Sequence, residues 1–199
     1  KAVGDDVMIG IDPNTGWTLA DALSAIAEIK PLGLGYIEQP IERRDLAGMA
    51  EIRRAANGVP VMADEGVFTL QDAQALVQAR ACDAFCIKLY KMGGITNAKK
   101  IAAVGESANI RVNCGGLAVQ SQLDAAAGAH FYAATPVART MGAAEFVFGL
   151  NATAKDPLCP ESDFKIKDGH VEVPRGPGLG VTIDEALLKK NTLLQERVG

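Results

Sequence analysis

Short apolar runs alternate with longer amphipathic stretches along this chain. Residues 7–11, 34–37, 60–63, 83–89 and 110–113 read as strands, each a brief apolar run bounded by turn-forming or charged residues. Between them the apolar positions recur at helical spacing. Thr18 is placed to cap a first helix whose Leu19, Leu23, Ile26 and Ala27 share one face. Residues 45–56 predict a second helix, and Thr69 caps a third that runs to Ala79. Residues 96–107 predict a fourth, and 118–134 a long alanine-rich fifth that stops before Pro136. Residues 143–148 predict one last strand. Strands that alternate with helices imply a parallel sheet with helices outside it, an α/β fold.

The repeat is regular. Asp12, Glu38 and Asp64 close successive strands at separations of 26 and 26 residues, and Lys88 closes the next one 24 residues on. That pitch favours a closed (β/α) barrel of the TIM type over an open doubly wound sheet. No Gly-x-Gly-x-x-Gly follows the first strand, which also counts against the open sheet. Six strands are predicted where a barrel needs eight, and a whole barrel takes ~250 residues. The expectation is therefore a partial barrel over residues 1–158, its first strands absent from this chain. After it, residues 164–173 predict a hairpin on an Asp-Gly turn. Residues 175–181 form a Gly/Pro turn run that lacks the Lys-Ser/Thr ending of a phosphate loop, and Asp184 begins a short last helix.

Composition narrows the function. The net charge of −4 leaves no basic footprint for nucleic acid, and no apolar run reaches the ~20 residues of a membrane span. Cys82, Cys86, Cys114 and Cys159 lack zinc-site spacing and read as buried, reduced thiols of a cytoplasmic protein.

The strand-end residues carry the chemistry. A lone acid at a strand end ordinarily caps the next helix or shapes a turn. Three on successive strands converge, because neighbouring strands lie ~4.8 Å apart and barrel side chains point to one mouth. Three such anions repel one another, and a hard divalent cation with oxygen ligands relieves the repulsion. Asp12, Glu38 and Asp64 are thus candidate ligands for Mg2+ or Mn2+. Lys88 ends an otherwise apolar strand. It is either a proton-transfer base, its pKa lowered by burial and a nearby cation, or the cation of a structural pair with Asp64 or Glu38. Around these, Asn14 could ligate or orient, Gln39 could hydrogen-bond a ligand acid, and Glu65 could bind Lys88 or cap a helix. Lys91 could support the site or line the loop. His130 and His170 fall on a helix and on the hairpin, away from the strand ends.

Ile11-Asp-Pro-Asn14, Tyr36-Ile-Glu-Gln-Pro40, Met62-Ala-Asp-Glu65 and the run from Ile87 through Lys91-Met-Gly-Gly to Ile95 resemble the enolase superfamily. The likeness is nearest to its mandelate racemase/muconate lactonizing enzyme family, the muconate cycloisomerase-like subgroup. The tail runs Ile166-Lys-Asp-Gly-His-Val and Gly176-Pro-Gly-Leu-Gly-Val look similar to that family too. The resemblance implies a C-terminal barrel domain, strands three to eight, with Asp12, Glu38 and Asp64 as metal ligands and Lys88 as a strand-six base. It implies an isomerase acting on a small carboxylate substrate. The proton beside the carboxylate is removed, and the enolate, stabilised by Mg2+ or Mn2+, collapses by cycloisomerisation or by racemisation/epimerisation. It also implies a homo-oligomer and an N-terminal capping domain, or a complementary chain, on which residues 159–199 would dock. A Lys-x-Lys strand of the family would precede residue 1. The run Asn113-Cys-Gly-Gly-Leu117 lacks the acid that many relatives carry there.

Two other readings share these residues. A sugar-acid or hydroxyproline-type dehydratase would form the same enolate and eliminate water from it. An inactive metal-binding fragment would use only the carboxylates.

Overall fold

The computed structural model describes residues 3–4, 6–117, 121–138, 140–141, 144–150, 156, 158–160 and 164–194. Each strand begins where an apolar run meets a turn, and each helix begins at a side chain that satisfies its free amides. β1 (Gly10–Ile11) leads to α1 (Leu19–Ile29), and β2 (Tyr36–Glu38) to α2 (Leu46–Ala56). β3 (Val61–Ala63) leads to α3 (Leu70–Ala79). β4 (Ala84–Ile87) leads to the one-turn α4 (Leu89–Met92) and to α5 (Ile95–Ser107). β5 (Arg111–Cys114) precedes α6 (Gln122–Ala134). Thr18 and Thr69 cap α1 and α3 through reciprocal bonds with Asp21 and Asp72, and Asp45 caps α2 by accepting from Gly48 N–H at 2.8 Å.

The five strands lie parallel in the order β1-β2-β3-β4-β5. A doubly wound sheet reverses direction at a switch point. This order never reverses, so the sheet is an arc of barrel wall with its helices on one side. The partial (β/α) barrel expected from the spacing is what forms.

Register decides which side chains enter the barrel. Gly10 pairs with Tyr36, Glu38 with Met62, Met62 with Ala84, and Cys86 with Asn113. Successive residues of a strand point to opposite faces. Asp12, Glu38, Asp64, Cys86, Lys88 and Asn113 therefore share the inner face. Ile37, Val61, Ala63, Phe85, Ile87 and Val112 face outward into the main core with Ile26, Ile52, Leu76 and Ile101 of the helices. A smaller apolar layer of Met62, Ala84, Cys86 and Met141, with Tyr36 against it, floors the inner face. Gly10 is required there, because a Cβ would sit 2.2 Å from the Tyr36 ring.

Several elements differ from expectation. The first strand pairs only over Gly10–Ile11 and the second runs Tyr36–Glu38; among the described residues β1 has no strand on its other edge. The fourth ends at Ile87, where Leu89 starts α4, and the next helix begins at Ile95. The alanine-rich helix begins at Gln122 behind a Ser121 cap, and its expected start at 118–120 lies outside the described residues. Residues 143–148, expected as a strand, instead form a 3-10 helix at Glu145–Gly149, with 143 outside the described residues. Packing explains this. Phe146 seats on Gly128 of α6 and tilts against Tyr132 with ring centroids 5.9 Å apart. That anchor draws the segment onto α6 rather than along β5.

Gly128→Ala tests the anchor. Its Cβ would lie 2.5 Å from that of Phe146. Overpacking of this kind costs ~1–3 kcal/mol, so the expected result is a lower midpoint in chemical denaturation.

Past the barrel, β6 (Ile166–Lys167) and β7 (His170–Val171) pair as the expected hairpin, and α7 (Glu185–Asn191) is capped by Asp184. Buried Asp156 ties the tail to α6. It accepts from Gln122 N–H at 2.5 Å, from Leu158 N–H at 2.7 Å and from Cys159 N–H at 2.5 Å. All four cysteines are free and buried. Among the described residues no helix is long and apolar enough to cross a membrane.

Candidate metal centre

The C-terminal ends of β1 to β4 deliver four charged groups to the inner face. Glu38 is the last residue of β2 and is 4 % exposed; Asp64 follows β3 and is 2 % exposed. One oxygen of each, together with the Cys86 sulfur, lies within 4.8 Å of the others. Asp12, just past β1, stands outside that group and is exposed, although its charge acts on Glu38 and that of Asp64 acts on it.

Electrostatics mark the site as short of positive charge. Burial, then Asp64, Asp12 and Glu145, pushes Glu38 up to about 8. Burial also raises Asp12, opposed by Asn14, whose backbone N–H and side-chain Nδ2 each donate to it at 2.8 Å. Asn14 can do this because it adopts φ of 50° at the turn. Carboxylates this close, one of them held near neutrality, are a donor set that a hard dication would satisfy. The fit to Mg2+ or Mn2+ therefore rests on the crowded oxygens themselves.

Two amines meet Asp64. Lys88 Nζ donates to Oδ2, and Lys91 Nζ to Oδ1. Lys91 is further fixed by Asp64 C=O at 2.7 Å and Cys86 C=O at 3.3 Å, and lies 5.3 Å from the Phe68 ring centroid. The one-turn α4 makes this possible by curling Lys91 back over the end of β3. Lys88 does not have the lowered pKa expected from sequence. Burial acts downward, but the neighbouring Cys86 and the hydrogen bond and charge of Asp64 together outweigh it and the net direction is up.

The other candidates fall into place around these. Gln39 grips backbone rather than a ligand acid: its Oε1 accepts from Asp64 N–H and Gly66 N–H at 3.0 Å each, and its Nε2 donates to Ile41 C=O at 3.0 Å. Gln39 thereby fixes the turn that carries Asp64. Glu65 neither caps a helix nor bonds Lys88; its Oε2 is buried without a hydrogen-bond partner among the described residues, and burial and Asp64 raise its pKa. His130 meets Leu179 C=O at 3.3 Å and His170 sits on the exposed hairpin, both outside the centre.

Sequence reasoning missed Glu145. Its carboxylate accepts from Asn113 Nδ2 at 2.9 Å and from Gly116 N–H at 3.0 Å, and it raises the pKa of Glu38. The acid found wanting after β5 thus arrives from a 3-10 turn 29 residues further on than Gly116. The available signal was its isolation as the one charged residue in the run from Met141 to Leu150.

An arc of parallel β/α barrel with acids and lysines at the carboxyl ends of its strands defines a class of catalytic barrel domain. This chain belongs to the enolase C-terminal domain-like family, whose pattern matches residues 1–187. It is 34 % identical to a chloromuconate cycloisomerase of Cupriavidus necator over 195 residues, 96 % of this chain and 50 % of that protein. It is 35 % identical to an L-Ala-D/L-Glu epimerase of Bacillus subtilis over 191 residues, 95 % of this chain and 50 % of the relative. The structure superposes on a muconate cycloisomerase from Pseudomonas fluorescens with a TM-score of 0.83 at 30 % identity, covering 95 % of this chain and 50 % of the other. The chain spans about half the length of the curated relatives it matches.

Proposed function

We propose that this chain carries the metal and proton-transfer groups of an isomerase that removes the proton beside a carboxylate and passes through an enolate. The observation that carries the reading is the meeting of buried Glu38 and Asp64 on the barrel's inner face, with Lys88 on the same face. Glu38 and Asp64 would hold Mg2+ or Mn2+, and Asp12 would swing in as the third oxygen ligand. Bound there, the ion supplies positive charge to a carboxylate whose neighbouring carbon is turning carbanionic.

This chain's own residues supply the rest. Lys88 takes the proton or returns it at Nζ. Occupation of Asp64 by a dication would remove the pairing that holds Lys88 charged, and the like charge would lower its pKa toward a working base. Lys91 and Gln39 fix Asp64 from its two sides. Asn113 and Gly116 orient Glu145, whose charge reaches Glu38.

The open edge of β1 supports a partner. Val7 and Met8, each 51 % exposed, lead into a strand that, among the described residues, is paired on one side only. Further barrel strands would close on this edge, and a capping domain or complementary chain would cover the mouth.

The experiment follows from named relatives. The full-length protein, loaded with Mg2+ or Mn2+, is incubated in deuterium oxide with muconate, a chloromuconate and L-Ala-L-Glu. The expected outcome is metal-dependent deuterium incorporation beside a carboxylate of one class, with the product otherwise unchanged in mass. A product lighter by one water would assign the dehydratase chemistry instead. No exchange with any of them in the metal-loaded protein would overturn the reading.

A further inference from the structure

The acids explain why the centre attracts a hard cation, but they do not explain its third member. Cys86 lies at the middle of β4 and is fully buried. Its place on the inner face follows from register, since it pairs with Asn113 and lies two residues before Lys88. The sulfur shares a 4.8 Å neighbourhood with oxygens of Glu38 and Asp64. Asn113 Nδ2 approaches it at 3.9 Å. Space around the sulfur is kept open by Gly115, where a Cβ would stand 2.5 Å from Sγ and 2.8 Å from Lys88 Cγ.

Ligand chemistry separates two kinds of ion at such a place. Mg2+ takes oxygen donors and leaves a thiol alone. Zn2+ and Cd2+ favour thiolate, and Zn2+ adopts four-coordinate sites with bonds of ~2.3 Å to sulfur and ~2.1 Å to carboxylate oxygen. Donor atoms of one such ion are separated by ~3–4 Å in a tetrahedron. Sγ and the two carboxylate oxygens lie within 4.8 Å of one another, within reach of such an ion once the side chains draw in.

We propose that Cys86, Glu38 and Asp64 form a buried site for a thiophilic dication such as Zn2+ or Cd2+, which shares two carboxylates with the magnesium position and excludes magnesium when filled. The inference rests on the reading of Glu38 and Asp64 as metal ligands. When the ion binds, the Cys86 S–H bond breaks, the proton leaves to solvent and the sulfur lone pair is donated to the metal. No electron is transferred. Lys88 gives up its bond to Asp64, so a centre filled in this way loses the Lys88 geometry of the isomerase as well as its hard cation. The site is thus a point of inhibition by soft metals, competitive with Mg2+.

The test is a titration of the metal-free full-length protein with Cd2+, following the ultraviolet sulfur-to-cadmium charge-transfer band and, separately, Mg2+ affinity by calorimetry. The band should saturate with one ion and be suppressed by excess Mg2+. Cys86→Ser should abolish it and weaken Cd2+ binding at least ~10-fold, with Mg2+ affinity changed less than ~3-fold. Cys82→Ser, which alters a buried thiol away from the centre, should keep the band. Zinc-edge X-ray absorption of the wild-type protein needs no variant and should show one sulfur at ~2.3 Å. A band that survives Cys86→Ser, or a zinc shell of oxygen and nitrogen alone, would overturn the proposal while Mg2+ binding left the isomerase reading intact. A band lost in Cys86→Ser from a protein that binds no Mg2+ would uphold the soft-metal site and remove the isomerase reading.

Discussion

Lys88→Ala lowers metal-dependent α-proton exchange by ~10³-fold or more, within the span that a general acid–base group contributes, while Mg2+ still binds. The loss is this large because, among the described residues, the one other amine that meets Asp64 is already held elsewhere. Lys88 ends β4 with its side chain 12 % exposed and aimed at Asp64. Lys91 is the only other described amine bonded to Asp64, and it is fixed on two backbone carbonyls. Lys88→Arg separates proton transfer from simple ion pairing. Arginine keeps the charge and the partner but does not deprotonate in the working range. A base at position 88 predicts that Lys88→Arg is as inactive as alanine; a structural ion pair predicts that it retains most of the activity. Exchange of the substrate proton, read by nuclear magnetic resonance in deuterium oxide, decides between them.

Glu38→Gln abolishes Mg2+ binding, stabilises the metal-free protein at high pH and removes the stabilisation that Mg2+ gives. Without metal, Glu38 is raised from its ordinary 4.5 to about 8, by burial first and then by Asp64, Asp12 and Glu145. A raised carboxyl favours folding in its protonated form. Its contribution is fully present below pH 4.5 and is lost as the pH climbs through about 8. The metal-free variant, which carries no charge at this position, is therefore more stable than the metal-free wild type at pH 9 by a few kcal/mol. Near pH 5 the difference shrinks. Saturating Mg2+ then stabilises the wild type by ~2.7 kcal/mol at 100 times its dissociation constant and leaves the variant unchanged. Denaturant unfolding at the two pH values, with and without Mg2+, measures each arm.

The strand ends were legible because each is punctuated twice, by an apolar run before it and a capping residue after it. Thr18 and Thr69 act as the caps their positions predict, and Glu38, Asp64 and Lys88 follow runs whose register leaves them no choice of face. The details that escaped depend on tertiary placement. Asp12 lies at the right spacing yet outside the 4.8 Å group, because β1 pairs, among the described residues, with β2 alone and the Asn14 turn holds its carboxylate. Lys91 reads as a loop lysine until one turn of helix folds it onto Asp64. Cys86 reads as an ordinary buried thiol; only the pairing of β4 with β5 shows that it shares a face with the acids. Glu145 lay in a segment predicted as a strand, and the contact of Phe146 with Gly128 that turns it inward has no local signature.

The most direct measurement is a crystal structure of the full-length protein grown with Mn2+, with anomalous scattering collected to locate the ion. The expected result is a single anomalous peak on the inner face, bonded to carboxylate oxygens of Asp12, Glu38 and Asp64, with the Lys88 amine released from Asp64 and facing the open coordination positions. An ion bound elsewhere, or a saturated crystal in which Lys88 still holds Asp64 and no peak stands between the acids, would contradict it.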